Sequence, residues 1–164
     1  MSTARHWKEP EVKQNLNAGE LCNRLVARVE RSTSVVQAAQ VMRDRHVGCL
    51  VVVDETGAGP LVVGILTDRD IVMSVVAAEI DPATLRVEDV MTSDVVSGLE
   101  QDSLLDLLGV MRRKGLRRVP ITTPEGCLVG LIALDDLLEI VAEELRTMVL
   151  AIQAEQLHER RVAG

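Results

Sequence analysis

Apolar residues recur along this chain with a helical spacing, and they do so twice. Val35, Ala38, Ala39 and Met42 stand at i, i+3, i+4 and i+7, one stripe of an α-helix. A shift of 69 residues lands on Leu104, Leu107, Leu108 and Met111, which repeat the stripe. Each stripe carries a start signal. Ser34 followed by Gln37 resembles a capping box, and Ser103 followed by Asp106 is a weaker version of one. The same shift lays Glu20-Leu21-Cys22 on Asp89-Val90-Met91 and Val41-Met42-Arg43 on Val110-Met111-Arg112. Self-similarity of this kind predicts a doubled structural unit.

Each predicted helix leads into a short apolar, β-branched stretch, Val47–Val53 in the first half and Leu116–Thr122 in the second. Turn-forming residues follow at Asp54–Pro60 and Thr123–Gly126. The second turn is three residues shorter, so the repeat spacing drops to 66 beyond it. A further strand comes next (Leu61–Leu66; Cys127–Ile132), then a second helix (Asp68–Ala78; Asp135 onward). The unit reads β-α-β-β-α, a mixed α/β (α+β) fold of two repeats related by pseudo-two-fold symmetry. The predicted organisation is a polar arm over residues 1–18, a first repeat over 19–80, a linker at 81–86 marked by Asp81-Pro82, and a second repeat over 87–145. Residues 146–164 extend the last helix into a tail. Its stripe of Leu138, Val141, Leu145, Met148 and Ile152 outruns the repeat, with a pattern that can continue to about His158. Such a helix packs either on the body of the domain or on a second protomer. Trp7, in the arm, either docks on a partner chain or is an ordinary exposed or half-buried residue.

The junction between third strand and second helix carries the chemistry. It reads Gly64-Ile65-Leu66-Thr67-Asp68-Arg69-Asp70 in the first repeat and Gly130-Leu131-Ile132-Ala133-Leu134-Asp135-Asp136 in the second. A glycine, a hydroxyl and a carboxylate three residues later suit a sugar-phosphate at a helix start. The second copy keeps the glycine and the last aspartate but has lost the hydroxyl at Ala133.

Composition narrows the function classes. The net charge of −7 argues against a general nucleic-acid binder, which needs clustered cations. With no Phe, no Tyr and one Trp, the core must be aliphatic. Cys22, Cys49 and Cys127 lie singly in apolar surroundings without a CxxC motif, as reduced intracellular thiols do. The polar N-terminus has no secretory signal, and no apolar run reaches the ~18–20 residues of a membrane span. A cytoplasmic location is expected. The histidines His6, His46 and His158 are scattered, and no catalytic motif occurs. No enzyme activity, catalytic residue or metal site is expected.

A tandem β-α-β-β-α unit with a G-h-h-[S/T]-x-x-D signature after each third strand resembles a pair of cystathionine-β-synthase (CBS) domains, or Bateman module. Val90-Met91-Thr92 and Leu116-Arg117-Arg118-Val119-Pro120-Ile121 resemble two further marks of that family. The resemblance covers roughly residues 19–145. It implies a non-catalytic module that binds AMP, ADP or ATP, or relatives such as S-adenosylmethionine or NAD, between the repeats. It also implies a homodimer that reports ligand level to a protein partner in trans. On this resemblance Asp70 accepts the ribose hydroxyls, and Thr67 donates to a phosphate or ribose oxygen. Arg117 and Arg118 reach the phosphates from the other repeat, and Ile65 and Gly48 line the adenine. Each residue has a plainer alternative. Asp70 can favour its helix dipole, although Asp68 already does so. Thr67 can be an N-cap, Ile65 can belong to the core, and the arginines can be exposed on an edge strand. Neighbours alternate faces in a strand, so Arg117 and Arg118 are not expected to point the same way. The second site, at Asp136, faces the uncharged Gly48 and Cys49 in place of the two arginines. It is expected to be empty or to take a less charged adenosyl ligand. Two rival readings are a structural homo-oligomerisation module with a vestigial pocket and a redox sensor built on Cys49.

Overall fold

A computed structural model of the chain describes residues 17–162. The arm, including Trp7, lies outside the described residues. The first half contains α1 (Ala18–Leu21), β1 (Arg28–Glu30), α2 (Val35–Arg45), β2 (Cys49–Thr56), β3 (Gly59–Thr67) and α3 (Asp68–Ile71). The second half contains β4 (Gly98–Leu99), α4 (Leu104–Lys114), β5 (Arg118–Thr122), β6 (Leu128–Ala133) and α5 (Leu134–Val162).

Both predicted capping boxes form. The Ser34 hydroxyl accepts from the Gln37 N–H at 3.2 Å, and the Ser103 hydroxyl accepts from the Asp106 N–H at 3.2 Å. Each box starts a helix that buries most of the predicted stripe, Val35, Ala38 and Met42 on α2 and Leu107 and Met111 on α4, with Ala39, Leu104 and Leu108 half-buried. Parallel neighbours need a long crossover. Helix α2 supplies it between β1 and β2, and α4 between β4 and β5. The third strand of each half returns antiparallel, giving two sheets of order β1-β2-β3 and β4-β5-β6. Strand β2 runs on to Thr56 where a turn from Asp54 was expected. The Thr56 hydroxyl donates to the Gly59 carbonyl at 2.6 Å and closes a tight hairpin. The helix expected over 68–78 is α-helical only through α3. It continues over Val72–Val76 as a π-turn, with the Ala77 N–H bonded to the Val72 carbonyl at 2.9 Å.

The two halves interlock through the segments that lead into them. Asn23 and Leu131 exchange backbone hydrogen bonds of 2.9 and 3.0 Å, so the lead-in of the first repeat pairs with β6 of the second. Thr92 and Ile65 do the same at 2.9 and 3.0 Å, so the lead-in of the second repeat pairs with β3 of the first. The cores are exchanged accordingly. Ala18 and Cys22 pack with Leu107, Val119, Ile132 and Leu137 of the second repeat. Val87 packs with Ala38, Leu50, Val52 and Leu66 of the first. Each fully buried aliphatic side chain contributes roughly 1.5–3 kcal/mol, so the crossing segments are held by core packing as well as hydrogen bonds.

This crossing explains the two signature glycines. A β-carbon on Gly64 would lie 2.4 Å from Met91 Sδ, and one on Gly130 would lie 2.4 Å from Cys22 Sγ and 2.7 Å from Cys22 Cβ. A glycine inside a strand marks the close approach of another backbone, here the lead-in of the opposite repeat. Replacement of Gly130 by Ala is expected to lower stability by about 1–3 kcal/mol, the cost of overpacking. A Gly57→Ala control has no neighbour within 4 Å and is expected to be near neutral. Urea denaturation checks both, and equal stabilities for the two variants would contradict the crossing.

Candidate functional site

At the first junction Thr67 and Asp70 hold each other. Thr67 is the N-cap of α3: its hydroxyl accepts from the Asp70 N–H at 3.2 Å. In return Asp70 Oδ2 accepts from the Thr67 N–H at 2.9 Å and from the Thr67 hydroxyl at 2.7 Å. This is a complete capping box. Asp70 therefore has a structural task beyond the helix-dipole role expected of Asp68, which itself accepts from the Arg69 N–H at 2.8 Å. Among the described residues Oδ1 of Asp70 has no hydrogen-bond partner, so the carboxylate keeps acceptor capacity. The second junction is the same without the hydroxyl. Asp136 Oδ2 accepts from the Ala133 N–H at 3.1 Å.

A cleft of about 230 Å³ opens at the second junction. Its walls are Leu131 and Ala133 at the end of β6, Asp136 in the first turn of α5, and Asn23 with Leu25–Ala27 from the crossing lead-in. His46–Cys49, between α2 and β2, and Arg118 from β5 complete it. Three of the residues singled out from sequence, Gly48, Arg118 and Asp136, meet here. Ile65, Thr67, Asp70 and Arg117 do not line this cleft. They occupy the pseudo-two-fold equivalents of Leu131, Ala133, Asp136 and Gly48.

The expectation that the Asp136 side lacks a cation is thereby corrected. Arg118 borders it, because its side chain reaches from β5 to the start of β2, where Cys49 sits. Arg117, in the bend just before β5, diverges. Its guanidinium pairs with Asp135 at 3.2 Å on an exposed surface. Such pairs stabilise by about 0–1 kcal/mol, so Arg117 is readily released. Among the described residues Arg118 has no ion-pair partner.

Cys49 is buried, and burial pushes its thiol up to about 11; the nearby Arg118 opposes the shift, and Asp70 and Asp68 add to it. A protonated thiol is a poor nucleophile, so the redox reading gains no support. His46 closes α2 in the left-handed region at φ 54°, where the equivalent cap of α4 is Gly115 at φ 65°. A non-glycine residue there costs on the order of 1 kcal/mol, and it sets an imidazole at the cleft wall.

Sequence reasoning missed the lead-in wall and His46–Val47. Leu25 is 90 % exposed in spite of its apolar side chain, and it borders the cleft. The signal that could have found this wall was the mid-strand glycine of each signature, which demands a closely approaching backbone.

Comparison with known proteins agrees with this architecture. The description of the CBS domain matches residues 18–77 and 87–143. An uncharacterised protein of Methanopyrus kandleri is 29 % identical over 127 residues, covering 77 % of this chain and 63 % of that protein. The cytosolic domain of the Mg2+ channel MgtE, solved in complex with ATP, superposes with a TM-score of 0.64 at 26 % identity, over 76 % of this chain and 48 % of that one. The CBS domain pair of protein MJ0100, solved with 5-methylthioadenosine and S-adenosyl-L-methionine, has the same fold. Its TM-score is 0.69 at 20 % identity, over 79 % of this chain and 98 % of that one.

Proposed function

The chain belongs to the CBS-domain family as a tandem pair, and from that premise we propose that it is a non-catalytic sensor of an adenine nucleotide. CBS pairs are generally regulatory, and they can bind adenosine-containing ligands. The observation that carries the reading is the cleft itself. Asp136 and Arg118 border one cavity of about 230 Å³, somewhat smaller than the ~300–1,000 Å³ of sites that hold drug-sized ligands. A carboxylate accepts both cis hydroxyls of a ribose, and a guanidinium presents a planar fork of donors to a phosphate. The apolar Leu25, Val26 and Val47 offer surface to an adenine ring. The MgtE domain, at 26 % identity, was solved with ATP, which favours a phosphorylated ligand. We assign the equivalent roles on the other side of the pseudo-dyad to Asp70, Thr67 and Ile65.

The module works as a homodimer that passes ligand level to a protein partner in trans. Leu138, Val141, Leu145, Met148 and Ile152 on α5 are 36–61 % exposed, so the stripe is not spent on the body of the chain among the described residues. A second copy would cover it, together with the exposed Val72, Met73 and Val76. The same stripe favours the second reading, an oligomerisation module with a vestigial cleft. No helix among the described residues is long and apolar enough to cross a membrane.

Calorimetric titration of AMP, ADP, ATP, S-adenosylmethionine and NAD into wild type and Asp136→Asn, at fixed salt, separates the two readings. Asn keeps an acceptor for the Ala133 N–H but loses the charge-assisted bond to ribose. That loss, ~1.5–3 kcal/mol, is expected to weaken ligand held in the Asp136 cleft by ~10- to 150-fold. Binding by none of the five would leave only the oligomerisation module. Sedimentation velocity on the same samples is expected to give two chains per particle, and a monomer would contradict the assembly.

A further inference from the structure

The cleft at Asp136 and its pseudo-two-fold mate at Asp70 are not independent. Repeat spacing pairs Asp136 with Asp70, Ala133 with Thr67, Leu131 with Ile65 and Gly48 with Arg117. It also pairs Cys49 with Arg118. Both members of this last pair line the Asp136 cleft. Cys49 lies opposite Thr67 across β2 and β3 as Arg118 lies opposite Ala133 across β5 and β6, so the pseudo-dyad, which exchanges the pair, puts the same two residues beside the Asp70 junction. Cys49 and Arg118 thus sit where the two clefts meet, one neutral and one cationic. The charges felt at Cys49 agree with that placement, since Arg118 from one repeat and Asp70 and Asp68 from the other all act on it. Among the described residues Arg118 has no carboxylate to hold it to either side. Arg117, which belongs to the mate alone, is turned away to Asp135 at 3.2 Å.

Resting on the nucleotide reading above, we propose that Arg118 is a single phosphate anchor shared by two clefts, so that they take phosphorylated ligands in competition. One guanidinium cannot neutralise two phosphate groups brought to it from opposite sides. Once one cleft holds a nucleoside monophosphate, the other loses its anchor and meets a like charge. An uncharged nucleoside makes no demand on Arg118 and fills the two clefts independently. The module then responds to the charge of its ligand as well as to its concentration.

The test uses AMP and adenosine as probes on the full chain. Asp70→Asn leaves the Asp136 cleft intact, and Asp136→Asn leaves the Asp70 cleft intact. Adding Arg118→Gln to each is expected to weaken AMP by at least about tenfold in both backgrounds, as loss of a charge-assisted hydrogen bond does. Adenosine is expected to change by less than about twofold in either, by the same reasoning that an uncharged ligand forgoes that bond. In wild type, AMP is expected to fill one cleft per chain, with the second at least about tenfold weaker, whereas adenosine fills both. Arg118 and Asp136 are exposed and Asp70 is half-buried, so these variants keep the core, and a thermal melt confirms it. A loss confined to one background, or two equal AMP sites in wild type, would overturn the sharing while leaving nucleotide binding standing. Binding of neither probe to any folded variant would overturn the nucleotide reading and the sharing together.

Discussion

Two exchanges of backbone hydrogen bonds, Asn23 with Leu131 and Thr92 with Ile65, decide where the rest of this chain goes. Each ties the lead-in of one repeat to the third strand of the other. They sit over Gly130 and Gly64, where any side chain would collide with the crossing segment. A β-α-β-β-α unit of this length has one sheet face to cover and few residues to cover it with. Here the helix of its own repeat covers part, and the residues just before the opposite repeat cover the rest. Neither core is complete without the other half.

The same crossing builds the site. A lead-in laid against a third strand forms one wall, and the strand-to-helix junction beside it forms the next. The turn into β2 or β5 closes the cleft, and the pseudo-dyad repeats the arrangement. The two junction carboxylates serve both ends. Asp70 and Asp136 cap the backbone of their own helices and retain oxygens for a ligand. Nearest the dyad the two repeats place different residues, a cysteine from one and an arginine from the other, while the clefts themselves differ at Thr67 against Ala133 and Arg117 against Gly48.

Much of this was legible in the sequence because it depends on short-range pattern. The stripes of α2 and α4, the capping boxes at Ser34 and Ser103, and the doubled strands follow from spacing that local physics enforces. The crossing was not legible in that way, because periodicity says which face of an element is apolar but not which half of the molecule covers it. Two consequences were therefore missed. Arg118 reaches the Asp136 side, and the lead-in residues Asn23 and Leu25–Ala27 form a wall. Asp70 was read as free for a ligand because Asp68 also stands in the first turn of α3. Only the geometry separates a carboxylate bonded to the N–H of its neighbour from one that completes a box with Thr67.

Competition between the two clefts depends on where a phosphate sits relative to the dyad. A crystal structure of the full chain grown with AMP tests this most directly. The expected density has the ribose on one junction carboxylate, Asp136 or Asp70, and the phosphate on the Arg118 guanidinium, with the opposite cleft lacking a second phosphate. Density for AMP in both clefts with Arg118 bound to neither phosphate, or for AMP bound elsewhere on the chain, would contradict it.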